Sequence, residues 1–161
     1  SLNLIKNAEK IILADIEPDA ISIFASVLID AAKRGVEVRI KAYVPVTLSG
    51  VHVTLREHAP YIHEKSKDTS FSICADGFEF VTAMLSHDTL SIIQAFRSNS
   101  ALMNMIIHNY ILYGQVLTDL KKQIKNNDFK QAKMTLETTE HLHPLSTENI
   151  VFQHFKNRYT I

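Results

Sequence analysis

Residues 10–43 restrict the fold more than any other stretch. KIILADI (10–16) is a short apolar run, the pattern of a buried central strand. Glu17-Pro18-Asp19 then opens a helix, since proline is tolerated in a first turn and acids suit its positive end. Ile21, Phe24, Val27, Leu28, Ala31 and Ala32 fall on one helical face, Lys33 and Arg34 sit in the last turn, and Gly35 suits a left-handed cap. VEVRIKAY (36–43) alternates Val36, Val38, Ile40 and Ala42 with Glu37, Arg39, Lys41 and Tyr43, which predicts a half-buried strand. Strand, helix and strand in so short a span make a right-handed βαβ unit with parallel strands, so the chain belongs to the α/β class.

The remainder fills out that class. Residues 44–68 are irregular, with a short helix expected near 52–59. SFSICA (70–75) and FEFVTAML (78–85) flank Asp76-Gly77 and predict a hairpin with a type I′ turn. Asp88 is placed to cap a helix through Phe96, and Arg97-Ser-Asn-Ser100 reads as a local turn. A long helix follows from Ala101 to about Lys125. Its polar residues Asn104, His108, Gln115, Asp119 and Lys122 form one narrow stripe, read here as the face left to water. The rest of the helix is mostly apolar, so a second subunit or the tail is expected to cover part of it. Met105, Ile106, Tyr110, Tyr113 and Leu117 are the candidate dimer-interface residues. Two further helices are expected in the tail, one from Asp128 and one after Pro144 and Ser146. The organisation read from this is one α/β domain over 1–125 and a helical C-terminal extension over 126–161, packed on the domain or at a dimer interface.

Charge and composition remove several function classes. Hydrophobic residues make up 46% and charged residues 21% of the 161, as in globular chains. Lys+Arg and Asp+Glu balance at 17 each, which gives no general basic surface for nucleic acid. Cys74 is the single cysteine, so an internal disulfide and a multi-cysteine zinc site are excluded, and a reducing, cytoplasmic setting is expected. No apolar run has the length of a membrane span. The start at Ser1, directly ahead of a structured pattern, reads as a piece of a longer protein. His52, His58 and His63, with Glu57 and Glu64 between them, lack the tight pair that a zinc site uses, and His141-x-His143 falls in a linker, so no metal and no cofactor is expected.

HEKSKDTSFSICADG (63–77) begins like the phospholipase D signature, His-x-Lys and then an Asp seven residues after the His. From His63 that position is Ser70, and Asp68 comes two residues early. Placing Asp76 at the Asp position puts Thr69 at the nucleophile and Phe71 at the phosphate-holding lysine. The family's later Gly-Ser and Asn fall on Ala83-Met84 and His87. The order KIILADI, IDAAKRGVEVRI, SFSICADGFEFVTAML and IIQAFRSNSALMNMIIHNYILYGQVLTDL resembles the C-terminal domain of TrmB-type prokaryotic transcriptional regulators over roughly residues 8–120. That resemblance implies a phospholipase D-like mixed sheet flanked by helices, with the catalytic motif lost. It also implies a small-molecule effector, a homodimer, and DNA contact only through an N-terminal winged helix-turn-helix that these residues do not include.

The candidate effector-binding residues are Asp15 and Glu17 at the carboxyl end of the first parallel strand, Tyr43 at the end of the second, Thr69 and Phe71 at the displaced motif positions, and Arg97 as an anion partner. The plainer account of Asp15 is a helix cap, and of Arg97 a salt bridge. The expected function is a non-catalytic effector-binding and dimerisation domain of a transcriptional regulator. The alternative is a divergent phosphodiesterase or nuclease using His63 or His87. A plain dimerisation module that binds nothing small is a third possibility.

Overall fold

The computed structural model describes residues 1–56, 66, 68–144, 146 and 157. Its elements run α1 (Leu2–Asn7), β1 (Ile11–Ile16), α2 (Pro18–Lys33), β2 (Glu37–Ala42), β3 (His52–Leu55), β4 (Asp68–Ala75), β5 (Glu79–Ser86), β6 (Ile92–Ser98), α3 (Ala101–Lys125), α4 (Phe129–Thr139) and a 3-10 turn, Glu140–Leu142. The strands form one mixed sheet in the order β3-β2-β1-β4-β5-β6. β1, β2 and β3 are mutually parallel, while β4, β5 and β6 continue the sheet as an antiparallel meander. No described helix is long and apolar enough to cross a membrane.

The βαβ unit forms as its residues dictate. Pro18 occupies the first turn of α2, and Gly35 follows the helix at φ +90°, a conformation that costs a residue without Cβ little. Every residue of β1 is buried because helices cover both faces of the sheet. Ile12, Ala14 and Ile16 face α2 with Phe24 and Leu28. Ile11 and Leu13 face the other way, in a smaller core with Ile111, Leu112 and Leu142. Covering on both sides also corrects the reading of β2. Its second face is not solvated: Arg39 is 8% exposed and Lys41 4%. The alternation of β2 therefore marks two different interiors rather than an inside and an outside.

The β4–β5 hairpin turns through Asp76 and Gly77, both at positive φ (53° and 57°), as a type I′ turn requires. The Asp76 carboxylate accepts hydrogen bonds from the backbone N–H groups of Glu9 (2.9 Å), Lys10 (2.8 Å) and Ile11 (2.9 Å), tying the hairpin tip to the start of β1.

Four further sequence expectations need correction. Residues 52–55 are strand β3, not helix, because they extend the parallel sheet beside β2; residues 57–59 lie outside the described ones. The helix expected over 88–96 is instead a turn and strand β6. Asp88 accepts from the Thr89 N–H, but the chain bends back so that the Ser86 N–H donates to the Ser91 carbonyl, and Ile92–Ser98 pairs with β5. The β-branched pair Ile92-Ile93 suits the strand. Arg97 and Ser98 belong to that strand, and Ser100 caps α3 by accepting from the Met103 N–H.

The fourth correction is the largest. Most of the polar stripe of α3 does not face water: Asn104, His108 and Gln115 are buried against the sheet side and Asp119 is half-buried, while Lys122 is exposed as expected. Leu102, Ile106, Tyr110, Tyr113, Leu117 and Ile124 are instead 47–60% exposed. The sheet beneath supplies the reason. Thr54, Lys41, Asp15, Ser72 and Thr82 are cross-strand neighbours in one continuous polar row. Polar helix side chains find partners on that side. Gln115 donates to the carbonyls of Ala14 (3.1 Å) and Arg39 (3.2 Å), and Asn104 to that of Phe78 (2.8 Å). Asp119 accepts from the Thr54 hydroxyl at 2.9 Å.

The described part of the tail packs on the same helix. Gln123 and Thr135 exchange hydrogen bonds of 2.9 and 3.1 Å, and His108 Nε2 lies 2.8 Å from the Leu142 carbonyl. The helix expected after Ser146 falls outside the described residues.

Candidate ligand-binding site

Asp15 and Lys41 are register partners near the carboxyl ends of two parallel strands, and both point to the α3 side. They form an ion pair whose side chains are 10% and 6% exposed. The Lys41 ammonium also lies 5.4 Å from the centre of the Tyr43 ring and 5.9 Å from that of Tyr110, so two aromatic faces complete its surroundings. The Tyr43 hydroxyl is hydrogen-bonded to Asp15. Burial first, and then the Asp15 charge, push this phenol well above its ordinary range, so it stays a neutral donor. The Arg56 guanidinium stands 6.0 Å from the centre of the same Tyr43 ring.

Lys41 and Arg56 of this group line a cleft of about 540 Å³ between the β2–β3 edge and α3, together with Gly114, Lys121, Lys122 and Lys125 among others. Gly114 lies in mid-helix, where glycine costs about 1 kcal/mol relative to alanine. A Cβ there would sit 3.5 Å from Lys41 Nζ, an ordinary contact, so a methyl group fits while a longer side chain would reach the ammonium.

The other candidates divide. Asp15 and Tyr43 meet as expected. Glu17 lies beyond the end of β1 and accepts from the Ser70 N–H at 2.7 Å, joining β1 to β4. Thr69 and Phe71 are on the opposite, α2-facing side of the sheet, where the Phe71 ring packs on Phe24 at 4.7 Å. They are core residues there and do not reach the cleft, because adjacent positions on a strand alternate faces. Arg97 is three strands away from Asp15 and pairs with Glu79 (Nη2–Oε2 3.1 Å) beside a separate cleft of about 250 Å³. Lys41, Arg56, Gly114 and Lys121 are the site residues that sequence reasoning missed, and Tyr110, read there as an interface residue, stands over Lys41. A lone glycine inside an apolar helix was the available signal for one of them.

Among the described residues no group of three or more His, Cys, Asp or Glu side chains could hold a metal ion. The described histidines are spread through the fold. His52 Nε2 is 3.3 Å from Asp119, His87 Nδ1 is 2.7 Å from Asp19, and His141 Nε2 is 2.8 Å from Glu37. His58 and His63 lie outside the described residues. Burial pushes the Cys74 thiol up to about 12, which removes it as a nucleophile at neutral pH.

Set against models of known protein families and against curated proteins, the chain gives no match.

Proposed function

We propose that the chain is a non-catalytic effector-binding and dimerisation domain of a cytoplasmic transcriptional regulator, with a phospholipase D-like fold and with DNA contacted by another part of the protein. The observation that carries this reading is the cleft at the carboxyl ends of the parallel strands. It is lined by Lys41, which is paired with Asp15 behind it, and by Arg56, and its volume falls within the range of small-molecule sites, ~300–1,000 Å³. Two features support the non-catalytic part. Thr69 and Phe71 replace the nucleophile and lysine of the signature. The carboxylate of Asp76 is engaged by three backbone N–H groups.

The reading is tested by thermal-shift measurements with small metabolites spanning neutral sugars, amino acids, nucleosides and charged species. A true effector at about 100 times its Kd adds about 2.7 kcal/mol, or roughly 5–10 °C in Tm for a chain of this size. Gly114→Leu, which fills the cleft, should abolish the shift. No response from any compound in the unmodified protein overturns the reading.

Dimerisation is supported by the outward face of α3. Met105 is half-buried, while Ile106, Tyr110, Tyr113 and Leu117 are exposed on a helix that also lines the cleft. A ligand that favoured one position of this helix would shift subunit geometry through its differential affinity for two arrangements. Ile106→Glu together with Tyr113→Glu is expected to weaken the dimer about 30- to 1,000-fold, the range of hot-spot losses of ~2–4 kcal/mol, with an unchanged far-UV spectrum. Sedimentation equilibrium checks it. A wild-type chain that stays monomeric at roughly tens of micromolar fails the proposal.

A further inference from the structure

We infer that the cleft takes a small polyanion, a molecule with two or more phosphate or carboxylate groups, held by Arg56, Lys121 and the lysines beside them. This inference rests on the effector-binding reading and names the ligand's chemistry.

The charge of the cleft is the basis. The chain as a whole is neutral, with 17 basic and 17 acidic residues. Yet the described residues lining the cleft include Lys41, Arg56, Lys121, Lys122 and Lys125, and among them no Asp or Glu. A plainer account covers part of this. Lys122 and Lys125 are in the last turn of α3, where cations complement the negative end of a helix whether or not a ligand exists. Lys41 is answered by Asp15. Arg56 comes from a different element, immediately after β3, and Lys121 joins it from a position before the last turn. Two elements thus direct cations into one concave space. Their mutual repulsion is relieved when an anion enters, and a concave, low-dielectric wall focuses that field. The spread of cations from Arg56 across to Lys125 suits separate anionic groups on one molecule better than a single ion. Guanidinium and ammonium groups both serve phosphate and carboxylate, so the lining alone leaves the two sources equivalent.

Isothermal titration calorimetry at physiological salt provides the test, with inorganic pyrophosphate in one arm and citrate in the other. Saturable one-to-one binding of either is expected, weakening as NaCl rises. The double variant Arg56→Gln/Lys121→Gln removes two exposed charges and should lower affinity about 10- to 100-fold while leaving the Tm of the free protein nearly unchanged. Binding of pyrophosphate alone assigns phosphate, and binding of citrate alone assigns carboxylate; each supports the inference. It is overturned if neither anion binds, or if both bind the double variant as well as the wild type. It is also overturned if a short DNA duplex, and not the small anions, is what the variant loses. If a neutral metabolite raises Tm while both anions fail, the effector reading survives and this inference alone falls.

Discussion

Asp15→Ala should destabilise the chain by about 3–5 kcal/mol, a large share of a typical folding free energy of ~5–15 kcal/mol. The cost arises because Lys41 is left as a buried ammonium with no carboxylate, not because the pair itself adds much. An ion pair taken out of water gains little net, whereas a lone charge in its place is costly. The same logic sets the control. Asp15→Leu combined with Lys41→Met removes both charges and should restore most of the loss. Urea denaturation of the two variants beside wild type measures this. A loss under ~1 kcal/mol for Asp15→Ala would show that water reaches Lys41 and that the pair behaves as a surface bridge.

Acid should weaken the fold through His108. Burial, partly opposed by the hydrogen bond with the Leu142 carbonyl and aided by the nearby His143, pushes its imidazole down from 6.5 to about 4. In the unfolded chain it takes up a proton below about 6.5, and in the folded chain only below about 4. Between those values the unfolded state holds more protons, so stability falls as pH falls. The contribution is complete above the unfolded value, is lost as the pH drops towards 4, and amounts to about 3 kcal/mol. His108→Gln keeps a donor for Leu142 but has no charge to acquire. Its unfolding free energy should therefore drop less than wild type between neutral pH and about pH 4. His52, His87 and His141, each beside a carboxylate, are common to both proteins and cancel in the comparison. Equal pH dependence in the two proteins would refute the assignment.

Both predictions concern residues that the sequence displays but does not place. The βαβ unit was legible because Ile, Val and Ala at strand spacing, followed by a capped helix ending at Gly35, admit few other folds. The hairpin was legible from Asp76-Gly77. Strand β6 was not, since Leu90, Ile93 and Phe96 fall at helical spacing and only the β-branched pair argues otherwise. The candidate site was half legible. Asp15 and Tyr43 follow from where ligands sit in α/β sheets. Lys41 is hidden by the assumption that an alternating strand has one wet face. The same assumption misassigned the stripe on α3. Polarity along a helix reports what the facing surface offers, and here that surface is a row of hydroxyls, an ion pair and strand carbonyls. The stripe did carry a hint: Asn104, His108 and Gln115 are uncharged at neutral pH, unlike the lysines and acids that usually cover a solvated face.

The clasp made by Asp76 also bears on how long the native state lasts. A hairpin with so short a connection closes in about 1–10 μs, using only neighbouring residues. Its tip, however, is fastened to Ile11, 65 positions earlier in the chain. Contacts across that separation wait on the docking of β1 between β2 and β4, and chains that depend on such distant pairings fold slowly. Hydrogen bonds completed after the rate-limiting barrier add nothing to the speed of reaching the native state, but they must be broken on the way out. Loss of the carboxylate in Asp76→Ala, which leaves three backbone donors without it, is therefore expected to speed unfolding more than it slows folding, as stopped-flow rates would show.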